Sequence, residues 1–279
     1  MTGHEDARGR IHGETAVSDH PPQIVDGVPT RCLSLTVRSQ YGHFRRVDRT
    51  VTKQTYRLPP RTTIAGLLSA IVGVGRDGYY DLFESEVSAV AVGPAGPIRT
   101  ATVPSLGLGT NPDESFASAG GTGRRTVKVQ YPDGTEPRQI HSYEYLVDPV
   151  YRIDVAVEDA AFYGTLRERL RTGRSYYPPS MGLSELIAAV EYHGEYTPDR
   201  INDPDEVDSA LPENVNAVVP HSGRSHLIER LPATMTATGD GRRTTAFEDY
   251  AFSRSREPLP TSEPDVPAAA VGDRTVVFR

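Results

Sequence analysis

Two stretches of this chain each place an alternating apolar pattern ahead of an amphipathic helix, and that repeated pairing restricts the fold more than any other feature. In the first, Leu33, Leu35 and Val37 alternate with Cys32, Ser34, Thr36 and Arg38, the period of a half-buried strand. Beyond Pro59-Pro60, residues Ile64, Leu67, Leu68, Ile71 and Val72 fall on one helical face. Thr62 or Thr63 is expected to cap that helix and Gly73 to end it. In the second, residues 151–157 (YRIDVAV) alternate, and Asp159 opens a helix with Phe162, Tyr163, Leu166 and Leu170 on one face and Gly173 at its end.

The intervening segments fill in the order. Residues 87–92 and 98–103 read as extended chain, and the Gly/Ser/Asn-rich stretch 105–124 as a loop. Residues 125–129 and 139–146 flank Pro132-Asp133-Gly134, which predicts a hairpin. After Tyr176 come a turn, a short helix-like piece starting near Ser184-Glu185, and a last strand reaching residue 196. Strand, helix, strand, hairpin, strand, helix, strand predicts an α+β domain of ferredoxin-like or RRM type with an inserted hairpin. Residues 1–29 are polar and without period, which predicts a flexible N-terminal extension. Residues 195–215 hold seven acids and one Arg, which predicts a solvated linker. Short extended pieces at 217–219 and 275–278 then suggest a β-rich C-terminal part within 197–279.

Composition narrows the function classes. No apolar run approaches the roughly 18 residues of a membrane span, and the N-terminus lacks the apolar core of a secretory signal. Cys32 is the only cysteine, so no intramolecular disulfide and no cysteine-based zinc site can form, and a reducing cytoplasm is expected. The formal charge is −7, and Lys53 and Lys128 are the only lysines. Acid excess with Arg in place of Lys fits a salt-rich cytoplasm, or simply a GC-rich genome. In high salt, affinity for nucleic acid must lean on stacking and short bidentate contacts.

Against that acidic background, residues 31–61 carry eight Lys/Arg and one acid. Tyr41, His43, Phe44 and Tyr56 are interleaved with Arg38, Arg45, Arg46, Arg49, Lys53 and Arg57. Guanidinium groups pair with phosphates and flat rings stack on unpaired bases, so the mixture suits single-stranded RNA. Phe44 serves equally well as a core anchor. Arg61, just ahead of a helix N-terminus, either holds a phosphate beside free N–H groups or pairs with an acid. Arg124, Arg125, Lys128, Arg138 and His141 form a second basic cluster around the expected hairpin. No histidine has metal-ligand spacing that points to a metal, and no cofactor is indicated. The G-x-G-x-x-G of residues 73–78 follows a helix rather than a strand, so it reads as a turn.

Residues 41–73 carry a specific resemblance. Gly42, Phe44 and Arg45, then Tyr56, Pro59, Pro60, Arg61, Thr62 and Thr63, then Gly66, Leu67 and Leu68 are similar to the N-terminal motif of the CRISPR-associated protein five family, part of the RAMP superfamily. Residues 177–196 (YPPSMGLSELIAAVEYHGEY) and 143–157 (YEYLVDPVYRIDVAV) also resemble family segments, so the likeness spans most of 31–196 and is weaker on either side. Its flavour resembles the type I-B branch. The resemblance implies a RAMP domain over 30–196 whose hairpin, about 124–147, acts as a thumb. It implies a non-catalytic subunit of the Cascade surveillance complex, serving antiviral defence. Such a subunit caps the 5′ handle of CRISPR RNA and meets the backbone and large subunits, while base pairing reads the target. One branch cuts precursor RNA without metal using a Tyr, a Lys and a His. Tyr41 or Tyr56 with Lys128 and His141 would be the counterparts here, but that branch's adjacent Lys-His pair is missing, since Ile140 precedes His141.

Overall fold

Period two in residues 32–38 becomes strand β1 (Cys32–Arg38) of a computed structural model that describes residues 20–46, 53–107, 139–238, 241–262 and 266–279. There follow α1 (Arg61–Val72), β2 (Ser88–Pro94), β3 (Thr100–Gly107), β4 (Gln139–Val147), β5 (Val150–Val157), α2 (Ala160–Arg171) and β6 (Ala189–Tyr196). The C-terminal part adds the long strands β7 (His226–Thr238) and β8 (Gly241–Ser253), then β9 (Ala268–Val271) and β10 (Arg274–Val277). Among the described residues the chain is therefore α+β, mostly sheet with two long helices.

The central sheet runs β6-β1-β5-β2 with every neighbour antiparallel. Alternation sends Leu33, Leu35, Val37, Val90, Val92, Ile153 and Val155 to one face, where Ile64, Leu68 and Ile71 of α1 and Phe162 and Leu166 of α2 cover them. Each such fully buried aliphatic side chain contributes about 1.5–3 kcal/mol against exposure. Leu231, Tyr250 and Phe252 of the β7–β8 hairpin extend the same core.

The opposite face is not open. Its small residues Cys32, Ala89, Ala91 and Ala156 let the β9–β10 hairpin lie close, and Val271, Val276 and Phe278 pack onto them together with Val28. The backbone of Arg279 pairs with Val90 in both directions (2.8 and 3.1 Å), which fastens the last residues to β2.

The helix ends follow local chemistry. Asp159 caps α2, its Oδ1 accepting from the Phe162 N–H at 2.7 Å. At the other helix the expectation needs correction: α1 already begins at Arg61, Pro60 stands at the cap position, and no side chain caps it. The Pro60 carbonyl accepts from Thr63 and Ile64 (2.8 and 3.0 Å), so both threonines sit inside the first turn. Gly73 ends α1 in the left-handed region (φ 98°), as its position suggested.

Three other expectations are corrected. A fourth, the strand expected at 125–129, lies outside the described residues; among the described residues β4 pairs with β3, Thr100 opposite Leu146 through Gly107 opposite Gln139. Ser184 starts no helix; a turn closed by the Leu186 N–H on the Leu183 carbonyl (3.0 Å) occupies the site. Residues 195–215 are not a free linker, because Val207, Ser209, Ala210 and Leu211 are buried, Glu195 pairs with Arg31 at 2.9 Å, and the Asp208 carboxylate accepts from the Thr275 N–H at 2.8 Å. Within the expected extension, residues 24–29 form a small hairpin, Ile24–Val25 with Val28–Pro29, and Val28 is buried. No helix among the described residues is long and apolar enough to cross a membrane.

Candidate nucleic-acid interface

Beyond Arg38 the chain turns over the root of the β3–β4 hairpin. Tyr41–Gly42 pairs with Val147 and Leu146 of β4, and Phe44–Arg45 pairs with Thr55–Tyr56. Lys53 bridges to Tyr143: its N–H donates to the Ser142 carbonyl and its carbonyl accepts from Glu144, both at 2.9 Å. Both limbs of the basic block therefore lie against one edge of β4.

That edge carries Tyr143 and Tyr145, two residues apart and so on one face. Their rings are near-parallel, 6.1 Å apart and 21° between planes. Tyr41 meets Tyr145 edge-on at 6.2 Å, and the His43 ring lies 5.7 Å from both Tyr143 and Tyr145. His43 Nδ1 is 2.8 Å from the Glu144 carbonyl, which can only accept, so the ring proton resides on Nδ1. His43 is almost wholly buried, whereas Tyr41 is 42% exposed and forms the open side of the cluster.

Two inward carboxylates hold this root together. Glu144 takes Arg57 at 3.0 Å and the Thr55 N–H at 3.2 Å. Glu229, reaching across from β7, takes Arg57 at 3.2 Å, the Arg57 N–H at 2.8 Å and Arg46 at 3.7 Å. Arg46 also lies 5.0 Å over the Tyr56 ring. Arg46 and Arg57 are thus engaged internally, while Arg38 and Arg45 are exposed and make no ion pair among the described residues.

The sequence blocks converge here. The His43 N–H donates to the Met181 carbonyl at 3.0 Å, and Gly182 packs so tightly that a Cβ would stand 2.0 Å from the His43 carbonyl oxygen. The segment around Gly182 is the floor of the 41–45 turn.

Several expected contact residues are placed elsewhere. Phe44 is a core residue, its ring 5.9 Å from that of Tyr151. Tyr56 is buried, and so is His43, which lines the cluster from within. Arg61 is turned inward: its side chain is buried, its Nε donates to the Phe83 carbonyl at 3.0 Å, and its Nη2 donates to the carbonyl (2.9 Å) and hydroxyl (2.7 Å) of Ser88. Its Nη1 donates to the Arg279 carbonyl, so this guanidinium ties α1 to β2 and to the last residue. Burial lowers its pKa, the carbonyls standing in for lost water. Arg49, Arg124, Arg125, Lys128 and Arg138 lie outside the described residues. His141 sits on β4 opposite Ser105. Sequence reading missed Tyr143 and Tyr145, although Tyr-x-Tyr at strand spacing was a signal for two rings on one face.

A family model matches residues 32–276 of this chain, and its description is CRISPR-associated protein (Cas_Cas5). The chain belongs to that family. The match runs from the start of β1 into β10 and so includes most of the C-terminal part, where the sequence resemblance was weak. Among solved structures, the chain is similar to a CRISPR protein from Archaeoglobus fulgidus, with a TM-score of 0.50 and 13% identity over 89% of this chain and 99% of that one. It is also similar to a chain of a CRISPR RNA-guided surveillance complex, with a TM-score of 0.46 and 16% identity over 87% of this chain and 95% of that one. A comparison with curated proteins returns no match.

Proposed function

We propose that this chain is the subunit of a type I CRISPR surveillance complex, of type I-B flavour, that holds the 5′ handle of CRISPR RNA. The observation that carries the reading is the open side of the aromatic cluster. Exposed Tyr41 leans on Tyr145, and the exposed arginines Arg38 and Arg45 stand in the same strand-and-turn segment. An aromatic face in one segment with guanidinium groups that make no ion pair among the described residues suits stacked bases and phosphates of a single strand. Family membership supplies the CRISPR context.

In this reading the strand order β6-β1-β5-β2, with α1 and α2 on one face, is a ferredoxin-like, RRM-type arrangement, and the β3–β4 hairpin is the root of a thumb. The β9–β10 hairpin covers the second sheet face, so RNA is met at the end of the sheet. The thumb reaches the backbone subunit and the large subunit docks nearby. The subunit grips without cutting: Ile140, not a lysine, precedes His141.

The test is to mix purified protein with repeat-containing RNA in metal-free buffer and to measure protection and cleavage together. Protection of the handle with intact RNA is expected, weakened in an Arg38→Ala, Arg45→Ala double variant. Cleavage that disappears in His141→Ala would identify a nuclease instead. Handle affinity unchanged in the double variant at working salt would reject the interface.

A further inference from the structure

A second exposed aromatic pair lies at the same end of the central sheet. Tyr176 and Tyr177 are 60% and 49% exposed, their rings edge-to-face at 4.7 Å. They are held firmly: the N–H groups of Tyr176 and Tyr177 donate to the Ile71 and Ala70 carbonyls at the end of α1 (3.0 and 2.9 Å). Tyr176 also packs on Gly73, where a Cβ would meet its ring at 2.7 Å. Two large rings fixed in solvent fill no core, so the fold presents them.

Their surroundings are basic. Arg169 lies 5.7 Å over the Tyr176 ring, and exposed Arg174 makes no ion pair among the described residues. Arg171 shares Glu168 at 2.9 Å. The surface is also continuous with the Tyr41 cluster. The Ala188 N–H donates to the Pro179 carbonyl at 2.9 Å, Ser180 bridges to Ile187, and the Ile187 carbonyl accepts from the Ser39 hydroxyl at 2.9 Å. Arg38 sits opposite both Ala189 and Val150, so β1 ends where β5 and β6 begin. Ile187, 53% exposed, stands between the two aromatic groups. Glu185, on the turn before it, is an exposed acid along this stretch.

We infer that a single-stranded RNA gripped at Tyr41 continues over Ile187 to Tyr176 and Tyr177, which receive further bases while Arg174 meets the backbone. The inference rests on the reading that the Tyr41 face holds RNA. Nucleic acid is favoured over a protein partner because the guanidinium groups outnumber nearby acids and because the surface adjoins a base-stacking cluster.

The experiment uses the full chain and a length series of single-stranded RNAs starting from the handle sequence. The shortest RNA whose affinity depends on Tyr41 is compared with one about eight nucleotides longer, a span within the usual site sizes for single strands. Tyr176→Ala with Tyr177→Ala is expected to lose about tenfold or more on the long RNA, as stacking of about 1–3 kcal/mol per base allows, and nothing on the short one. Tyr176→Phe with Tyr177→Phe should keep full affinity, and Tyr41→Ala should lose on both lengths. Photocrosslinking of 4-thiouridine at successive positions should reach Tyr176 or Tyr177 several nucleotides away from the base that reaches Tyr41. If the alanine pair binds both lengths like the parent while Tyr41→Ala is weak, the path is wrong and the tyrosines serve a protein contact. An equal loss on both lengths also overturns it, since the pair would then act through the fold. If Tyr41→Ala is itself without effect, the handle-binding reading fails first.

Discussion

Asp154 on β5 grips Arg274 on β10 with both carboxylate oxygens, at 2.7 and 2.9 Å, across the face of the central sheet turned away from the helices. Ser34 donates to the same carboxylate, and Arg152 reaches Ser34 at 3.1 Å. The carboxylate is 1% exposed, so its charge is sustained by these partners rather than by water. Through this pair the C-terminal hairpin is part of the domain, not an appendage to it.

Arg274→Met should therefore lower stability by about 3 kcal/mol, because an unpaired carboxylate remains buried. Asp154→Asn with Arg274→Met should recover much of that loss. Urea denaturation of these two variants and of Asp154→Asn alone checks it, and additive losses would show that the two residues do not act as a pair.

Gly182→Ala is expected to cost at least about 2 kcal/mol. Its φ of 97° is left-handed, and the new methyl group would stand 2.0 Å from a backbone oxygen that cannot move without shifting the 41–45 turn. Both the melting temperature and handle affinity should fall together. Thermal unfolding paired with an RNA titration would show whether they do.

Arg61→Met should destabilise by about 3 kcal/mol, leaving buried carbonyls without a donor. Affinity for RNA per folded molecule should stay at the parent value. A loss of affinity in a variant shown to be folded would return Arg61 to the interface.

Arg38→Ala and Arg45→Ala are each expected to reduce the slope of log affinity against log salt by about 1, in the manner of phosphate contacts. Arg46→Ala should instead act on stability, because it is bound to Glu229 and to the Tyr56 ring. Titrations at several salt concentrations, with melting curves beside them, separate the two effects.

His193 supplies a pH dependence. Burial lowers its pKa, helped by the positive charges of Arg152 and Arg274 and opposed by Glu191 and Asp154. Its Nε2 is 2.8 Å from the Thr36 hydroxyl. A folded value below the unfolded one means that unfolding takes up a proton in the window between them. Its contribution is complete above about pH 6.5 and is lost as the pH falls through the folded value. His193→Gln should flatten the fall in urea midpoint between neutral and mildly acidic pH, and an unchanged slope would place the effect on other groups.

Legibility in the sequence followed the range of the interactions. Period two in β1 and β5, the Asp159 cap and the Gly73 stop are local effects, and each was readable from neighbouring residues. The candidate site was half readable. Arg38, Tyr41 and Arg45 came from charge and ring content, but the same content drew in Phe44, Tyr56 and Arg61, which point into the core. A side chain's direction at a short strand or helix start depends on which distant segment covers it. Tyr143 and Tyr145 were overlooked because their partner is a turn one hundred residues earlier, His43 against Glu144. The pairing of β3 with β4 and the burial of Val207 and Leu211 are of the same long-range kind.

What the sequence by itself determined is the two strand-and-helix units β1–α1 and β5–α2, the exclusion of an intramolecular disulfide by a single cysteine, and the basic-aromatic character of residues 31–61. Those depend on residues within a few positions of one another. Only the tertiary structure decided which guanidinium groups face outward. Glu144, Glu229 and the carbonyls of Phe83 and Ser88 come from remote parts of the chain, and they claim Arg57, Arg46 and Arg61. Burying those acids and carbonyls demands a donor for each, and among the described arginines of residues 31–61 it leaves Arg38 and Arg45 exposed and without an ion pair.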